Sequence, residues 1–213
     1  MKRIHIGIMI AATIGLLLAS FATADEAQPT IAEILSTLQQ DRFLNLLASF
    51  KAADADLLQE LGRTDGNYTF FAPTDAAFER VFELLQVTQN QFLARPDIVS
   101  EILAYHVVPG RYDGLNLAAL DDALLGTLQR VNGYLEIEMT DDGLRLNGVG
   151  TSARLIESDI MAANGVVHVI DRVLLPYADW DLRTSFSSEP YPPSRTLDAL
   201  PSLDEVLAAA DDL

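Results

Sequence analysis

Apolar residues in this chain change their spacing part-way along, and the change divides it. Ile31, Ile34, Leu35 and Leu38 recur at helical spacing, and Phe43, Leu46, Leu47 and Phe50 repeat the same stripe. Thr30 and Glu33 open the first stripe as a capping box, since each can serve the other's backbone amide. A third helical piece is predicted over Asp54–Leu61, before the Gly62…Gly66 break. Tyr68–Ala72 is short, aromatic and β-prone, which predicts a strand. Pro73-Thr74-Asp75 ends it and starts a helix, with Thr74 or Asp75 as N-cap and Phe78, Val81, Phe82 and Leu85 facing inward. A further helix over Asp97–Tyr105 runs into the strand-like His106-Val107-Val108, which Pro109-Gly110 closes.

From Leu124 to Pro176 the period becomes two. Asn132-Gly133, Asp142-Gly143 and Asn164-Gly165 are turn signals. Leu135, Ile137 and Met139 alternate with Glu136, Glu138 and Thr140, predicting a strand with one wet face. Val166–Ile170 is apolar on both faces and reads as a central strand. Helices first and strands afterwards predict an α+β fold. Tyr177–Leu200 has little periodicity and holds Pro190, Pro192 and Pro193, so it reads as a linker or a strap lying on the domain. Pro201–Leu213 echoes the start of the first helix: Pro201-Ser202-Leu203-Asp204-Glu205-Val206-Leu207 parallels Pro29-Thr30-Ile31-Ala32-Glu33-Ile34-Leu35. That is either an ordinary capped helix or the first helix of a second copy of the domain.

The N-terminus departs from both patterns. Lys2 and Arg3 precede an apolar stretch from Ile6 to Leu18, and Ala22-Thr23-Ala24 carries the small residues of a cleavage site, so residues 1–24 read as a secretory signal peptide. Residues 25–29 are then a short lead-in to a domain spanning 30–176. Losing Lys2 and Arg3 turns the formal charge of −17 into −19 on the exported product. The expected product is secreted, periplasmic or extracellular, monomeric and without a direct membrane anchor. With 31 acidic against 14 basic side chains, nucleic acid is excluded as a partner, because phosphate binding needs clustered Lys and Arg. No cysteine is present, which excludes disulfides, thiolate metal sites and a thiol nucleophile.

Three stretches together resemble one family. Thr69-Phe70-Phe71-Ala72-Pro73-Thr74-Asp75-Ala76-Ala77-Phe78 resembles the first signature of fasciclin-like domains, and Tyr105-His106-Val107-Val108-Pro109-Gly110 their Tyr-His motif. Asn164-Gly165-Val166-Val167-His168-Val169-Ile170-Asp171-Arg172-Val173-Leu174-Leu175-Pro176 resembles the second signature. The resemblance implies a wedge with a helical layer beside two β-sheets, in a secreted bacterial module of cell adhesion and extracellular matrices. The motif residues Thr69, Pro73, Thr74, Asp75, Phe78, Tyr105, His106, Asn164, Gly165 and His168 are expected mainly to serve the fold. His106 and His168 read as hydrogen-bonded core histidines, and Gly165 as the positive-φ residue of a turn. Glu157-Ser158-Asp159-Ile160-Met161 is similar to a stretch of animal family members to which integrin contacts have been attributed. The resemblance thus implies partner contacts at Glu157, Asp159 and Ile160, and at Tyr105 and His106.

Catalytic motifs are missing from the sequence. There is no His-Glu-x-x-His spacing, no nucleophile elbow and no phosphate-cradling glycine loop, so no catalytic residues, metal ligands or cofactors are expected. Asp141-Asp142-Gly143 is a turn or a weak surface calcium position, and Asn67-Tyr68-Thr69 is a glycosylation sequon in form. The expected function is a non-catalytic adhesion or matrix-interaction module binding an extracellular protein or glycan. The alternative is a carrier of an apolar small molecule, a carotenoid or lipid.

Overall fold

The computed structural model describes residues 28–37, 42–53, 55–129, 133–177 and 186. Residues 1–24, read in sequence as a signal peptide, residues 177–200 other than Tyr177 and Phe186, read as a linker or strap, and residues 201–213 lie outside the described residues, as do Leu38, Asp54 and Asn132.

Among the described residues of the first half, six helices cluster: α1 (Ile31–Thr37), α2 (Leu44–Ala52), α3 (Ala55–Leu61), α4 (Asp75–Leu85), α5 (Gln89–Leu93) and α6 (Pro96–Tyr105). Strand β1 (Tyr68–Pro73) runs between α3 and α4, and β2 (Val107–Pro109) follows α6. A short α7 (Gly114–Ala118) leads into β3 (Leu124–Gly126), β4 (Tyr134–Thr140), β5 (Gly143–Asn147), β6 (Ser152–Ala162) and β7 (Gly165–Ile170). The Thr30–Glu33 capping box forms as its sequence suggests, with the Glu33 carboxylate accepting the Thr30 amide at 2.7 Å. At α4 it is Thr74 that caps, its hydroxyl oxygen accepting the Ala77 amide at 3.3 Å. The periodicity did not predict α5 and α7, each of five residues and too short to repeat a stripe.

The strands form one sheet in the order β2-β1-β7-β6-β5-β4-β3. β1 and β7 are parallel, and every other pairing is antiparallel. The two sheets implied by the family resemblance are the two halves of this one, joined through β6. Ser152–Arg154 of β6 pairs with β5, and Leu155–Ala162 pairs with β7 across two register breaks. β7 is buried throughout, as its unbroken apolar run requires. Val167 and Val169 join Phe70, Phe78 and the helices in one core, while Ile170 and Phe71 join Leu135, Ile137 and Leu146 in the second. The β1–β7 half therefore has apolar cover on both faces.

Met139 departs from its expected register. Leu135 and Ile137 are fully buried, but Met139 is 42% exposed where β4 outruns the core. No helix among the described residues is long and apolar enough to cross a membrane.

Candidate functional site

The second signature folds the chain back on itself around Asn164. Its side-chain oxygen accepts the Ile31 amide at 2.8 Å, and its amide nitrogen donates to the Leu61 and Arg63 carbonyls at 2.7 and 2.8 Å. One buried side chain thus caps the start of α1 and the end of α3. Gly165 follows in β7 with φ 155°, and a Cβ there would stand 1.9 Å from the Tyr68 carbonyl oxygen. No other residue fits so close to a neighbouring backbone.

The first signature behaves similarly. Pro73 ends β1 opposite Ile170, and Phe78 is buried edge-on to Phe92. Asp75 does not cap the helix it begins, as its place in sequence suggested. Its carboxylate accepts the Leu44 and Asn45 amides at 3.1 and 2.7 Å, so it caps α2, 30 residues earlier. Thr69, the third residue of the sequon, is buried, with its hydroxyl donating to the Gly110 carbonyl and accepting the Tyr112 amide.

Tyr105 and His106 are both fully buried, which corrects the expectation that they touch a partner. The Tyr105 hydroxyl donates to the Tyr134 carbonyl at 2.7 Å and accepts the Val149 amide. His106 Nδ1–H donates to the Ile102 carbonyl at 2.7 Å, while Nε2 accepts the Leu174 amide at 2.9 Å. Burial lowers its pKa to about 4, so the ring is neutral at physiological pH.

The remaining segment, Glu157–Ile160, is at the surface. Glu157 and Asp159 are exposed and Ile160 is half-buried against the helical core. One register break of β6 precedes Glu157 and the other falls between Glu157 and Ile160, and Asp159 takes φ 65°, a left-handed conformation unusual outside glycine. Three bonds hold it. The Asp159 carboxylate accepts the Gly114 amide at 2.8 Å and the Ser158 hydroxyl at 3.1 Å, and its own amide donates to His168 Nδ1 at 3.2 Å. His168 Nε2–H in turn donates to the Tyr112 carbonyl at 2.8 Å, and its ring stacks on Phe71. The bulge, β7 and the loop entering α7 are therefore tied together through one imidazole.

Between this bulge and α7 lies an open groove of about 360 Å³. Leu115, Ala118, Met139, Leu144, Leu155 and Ile156 line it, with Glu157–Asp159 along one rim. Leu115 is 84% exposed and Ile156 half exposed, although Leu117, two residues along α7, is fully buried. Sequence reading named the rim but missed the apolar floor. Leu115 lies in a helix too short to show a period, and Met139 is assigned inward by strict alternation.

A family profile of the fasciclin domain matches residues 41–176. The chain belongs to the fasciclin family. The protein sll1483 of Synechocystis is 34% identical to it over 161 residues, which cover 74% of this chain and 78% of that protein. Human periostin is 32% identical over 61% of this chain, and the cell surface glycolipoprotein MPB83 of Mycobacterium bovis 34% over 59%. Those alignments span 14% of periostin and 50% of MPB83, so the fasciclin domain here corresponds to a part of each.

Proposed function

We propose that this fasciclin domain is a secreted, non-catalytic adhesion or matrix-interaction module, whose contact face is the groove between α7 and the β6 bulge. The observation that carries the reading is the exposure of Leu115, Met139 and Ile156 in one concavity, beside the Glu157–Ile160 segment. Isolated exposed apolar residues are ordinary, whereas apolar residues gathered in a groove favour a binding role. Export agrees with residues 1–24 and with the cell-surface description of MPB83. A non-catalytic role agrees with the engagement of all four ring nitrogens of His106 and His168 in the fold. Among the described residues no cluster of three or more His, Asp or Glu is arranged to hold a metal.

The test immobilises the protein from Asp25 onward and measures retention of cells of the native host, matrix extracts and exopolysaccharide. Leu115→Glu and Ile156→Glu are expected to weaken retention about tenfold or more, as charge in an apolar contact does. Leu124→Glu, also exposed but outside the groove lining, leaves it unchanged. Equal retention by all variants removes the groove from the reading. A visible absorption band or a co-purifying lipid in protein from its native source would favour a carrier instead.

A further inference from the structure

We propose that His168 is an acid-sensitive latch on the groove, holding the Glu157–Asp159 bulge when neutral and releasing it when protonated. The inference takes its biological meaning from the reading of the groove as a contact face, but the latch itself is a property of the free protein.

His168 Nε2 faces the Tyr112 carbonyl and must carry a proton, so Nδ1 is the bare nitrogen that accepts the Asp159 amide. A second proton can enter only at Nδ1. There it would meet the Asp159 N–H at 3.2 Å, two donors facing each other with no acceptor between them. Asp159 is the residue least able to absorb the loss in place, because its left-handed backbone depends on its surroundings to hold it.

The groups around the ring define where the bulge goes. From β1 the Phe71 ring packs on it. From the loop before α7 come the Tyr112 carbonyl and the Asp113 carboxylate, and from β6 the Asp159 carboxylate. Both carboxylates favour the imidazolium while burial opposes it, and burial prevails, so the ring titrates below the ordinary histidine range. Once the amide bond is lost, the Asp159 carboxylate is the acceptor at hand for the new Nδ1 proton. To reach it, the carboxylate gives up the Gly114 amide, which it now holds at 2.8 Å. That bond joins β6 to α7 across the groove, so mild acid loosens the rim and the first turn of α7 together. Of the nearby charged groups, Glu157 is paired with Arg42 at 3.2 Å and Arg111 donates to the Met161 sulfur.

The test is a pH titration of the free protein by nuclear magnetic resonance, following the His168 ring and the amides of Asp159 and Gly114. The expected result is one shared midpoint below 6.5, with protection of the Asp159 amide from exchange falling about tenfold or more across it. The Leu174 amide, bonded to His106, reports the other histidine and separates the two titrations. His168→Asn keeps an acceptor near Nδ1 and cannot protonate, so Asp159 protection becomes flat with pH. Should that variant not fold, Asp159→Asn in its place lowers the ring midpoint by removing a neighbouring negative charge. The latch is overturned if the ring titrates while the Asp159 and Gly114 amides stay fixed, if the ring stays neutral until the whole protein unfolds, or if Asp159→Asn leaves the midpoint where it was. None of these outcomes bears on whether the groove binds a partner at neutral pH.

Discussion

Asn164 shows most sharply what a single residue does here. Its side chain satisfies one amide and two carbonyls in the interior, joining residues that lie 133, 103 and 101 positions away. Asn164→Ala leaves the Ile31 amide and the Leu61 carbonyl buried without that partner, at a cost of about 3 kcal/mol. Urea denaturation should show the loss as a lower midpoint with an unchanged slope. Asn164→Asp should be no milder, because it keeps the acceptor for Ile31 but turns a charged oxygen toward two carbonyls. A variant within about 0.5 kcal/mol of wild type would mean that water replaces the side chain. Asn164-Gly165 was legible in sequence as a turn, and Gly165 as its permissive residue. The capping of two helices was not legible, since nothing local to a turn indicates what its side chain reaches across the fold. Tyr105 and His106 carry the same lesson: motif membership marked them, but only packing could decide whether they face a partner or the core.

Capping separates two neighbouring residues at the scale of the element. Thr74 caps α4, the helix that follows it, whereas Asp75 caps α2, which precedes it in the chain. Thr74→Ala and Asp75→Ala should each lose about 1 kcal/mol, within the usual range for an N-cap. Hydrogen exchange distinguishes them. Thr74→Ala should deprotect Ala77, while Asp75→Ala should deprotect Leu44 and Asn45 and leave Ala77 protected. Loss of Ala77 protection in the Asp75 variant would return that residue to the helix it begins. The helices with long stripes, the capping box at Thr30 and the buried β7 were legible because local pattern and burial agree there. The bulged path of β6 was not. Its outward residues alternate irregularly, and the register breaks that expose Glu157–Asp159 are set by pairing to β5 on one side and β7 on the other. The element that carries the candidate site is thus the one whose geometry depends most on its neighbours.

At the scale of the whole molecule, net charge and the buried histidines act on stability in different ways and can be separated. A formal charge of −17 on 213 residues repels itself in the compact state. Added salt at neutral pH screens that repulsion, so thermal stability should rise between low and moderate ionic strength. Acid brings a term of opposite sign. His106 has a pKa of 6.5 when exposed and about 4 in the fold, so between these values the unfolded chain binds a proton that the native state refuses. Its contribution is complete above pH 6.5 and is lost as pH falls toward 4, amounting to about 2 kcal/mol by pH 5. His168, also lowered by burial, adds in the same direction. Denaturant unfolding in high salt from pH 7 to 5 should therefore show stability falling, even though the molecule is shedding repulsive charge. His106→Gln, which cannot titrate, should be less stable at pH 7 yet show a shallower fall. A slope unchanged by that substitution would assign the acid sensitivity to the carboxylates. A stability that rises toward pH 5 would make charge repulsion the stronger force in this domain.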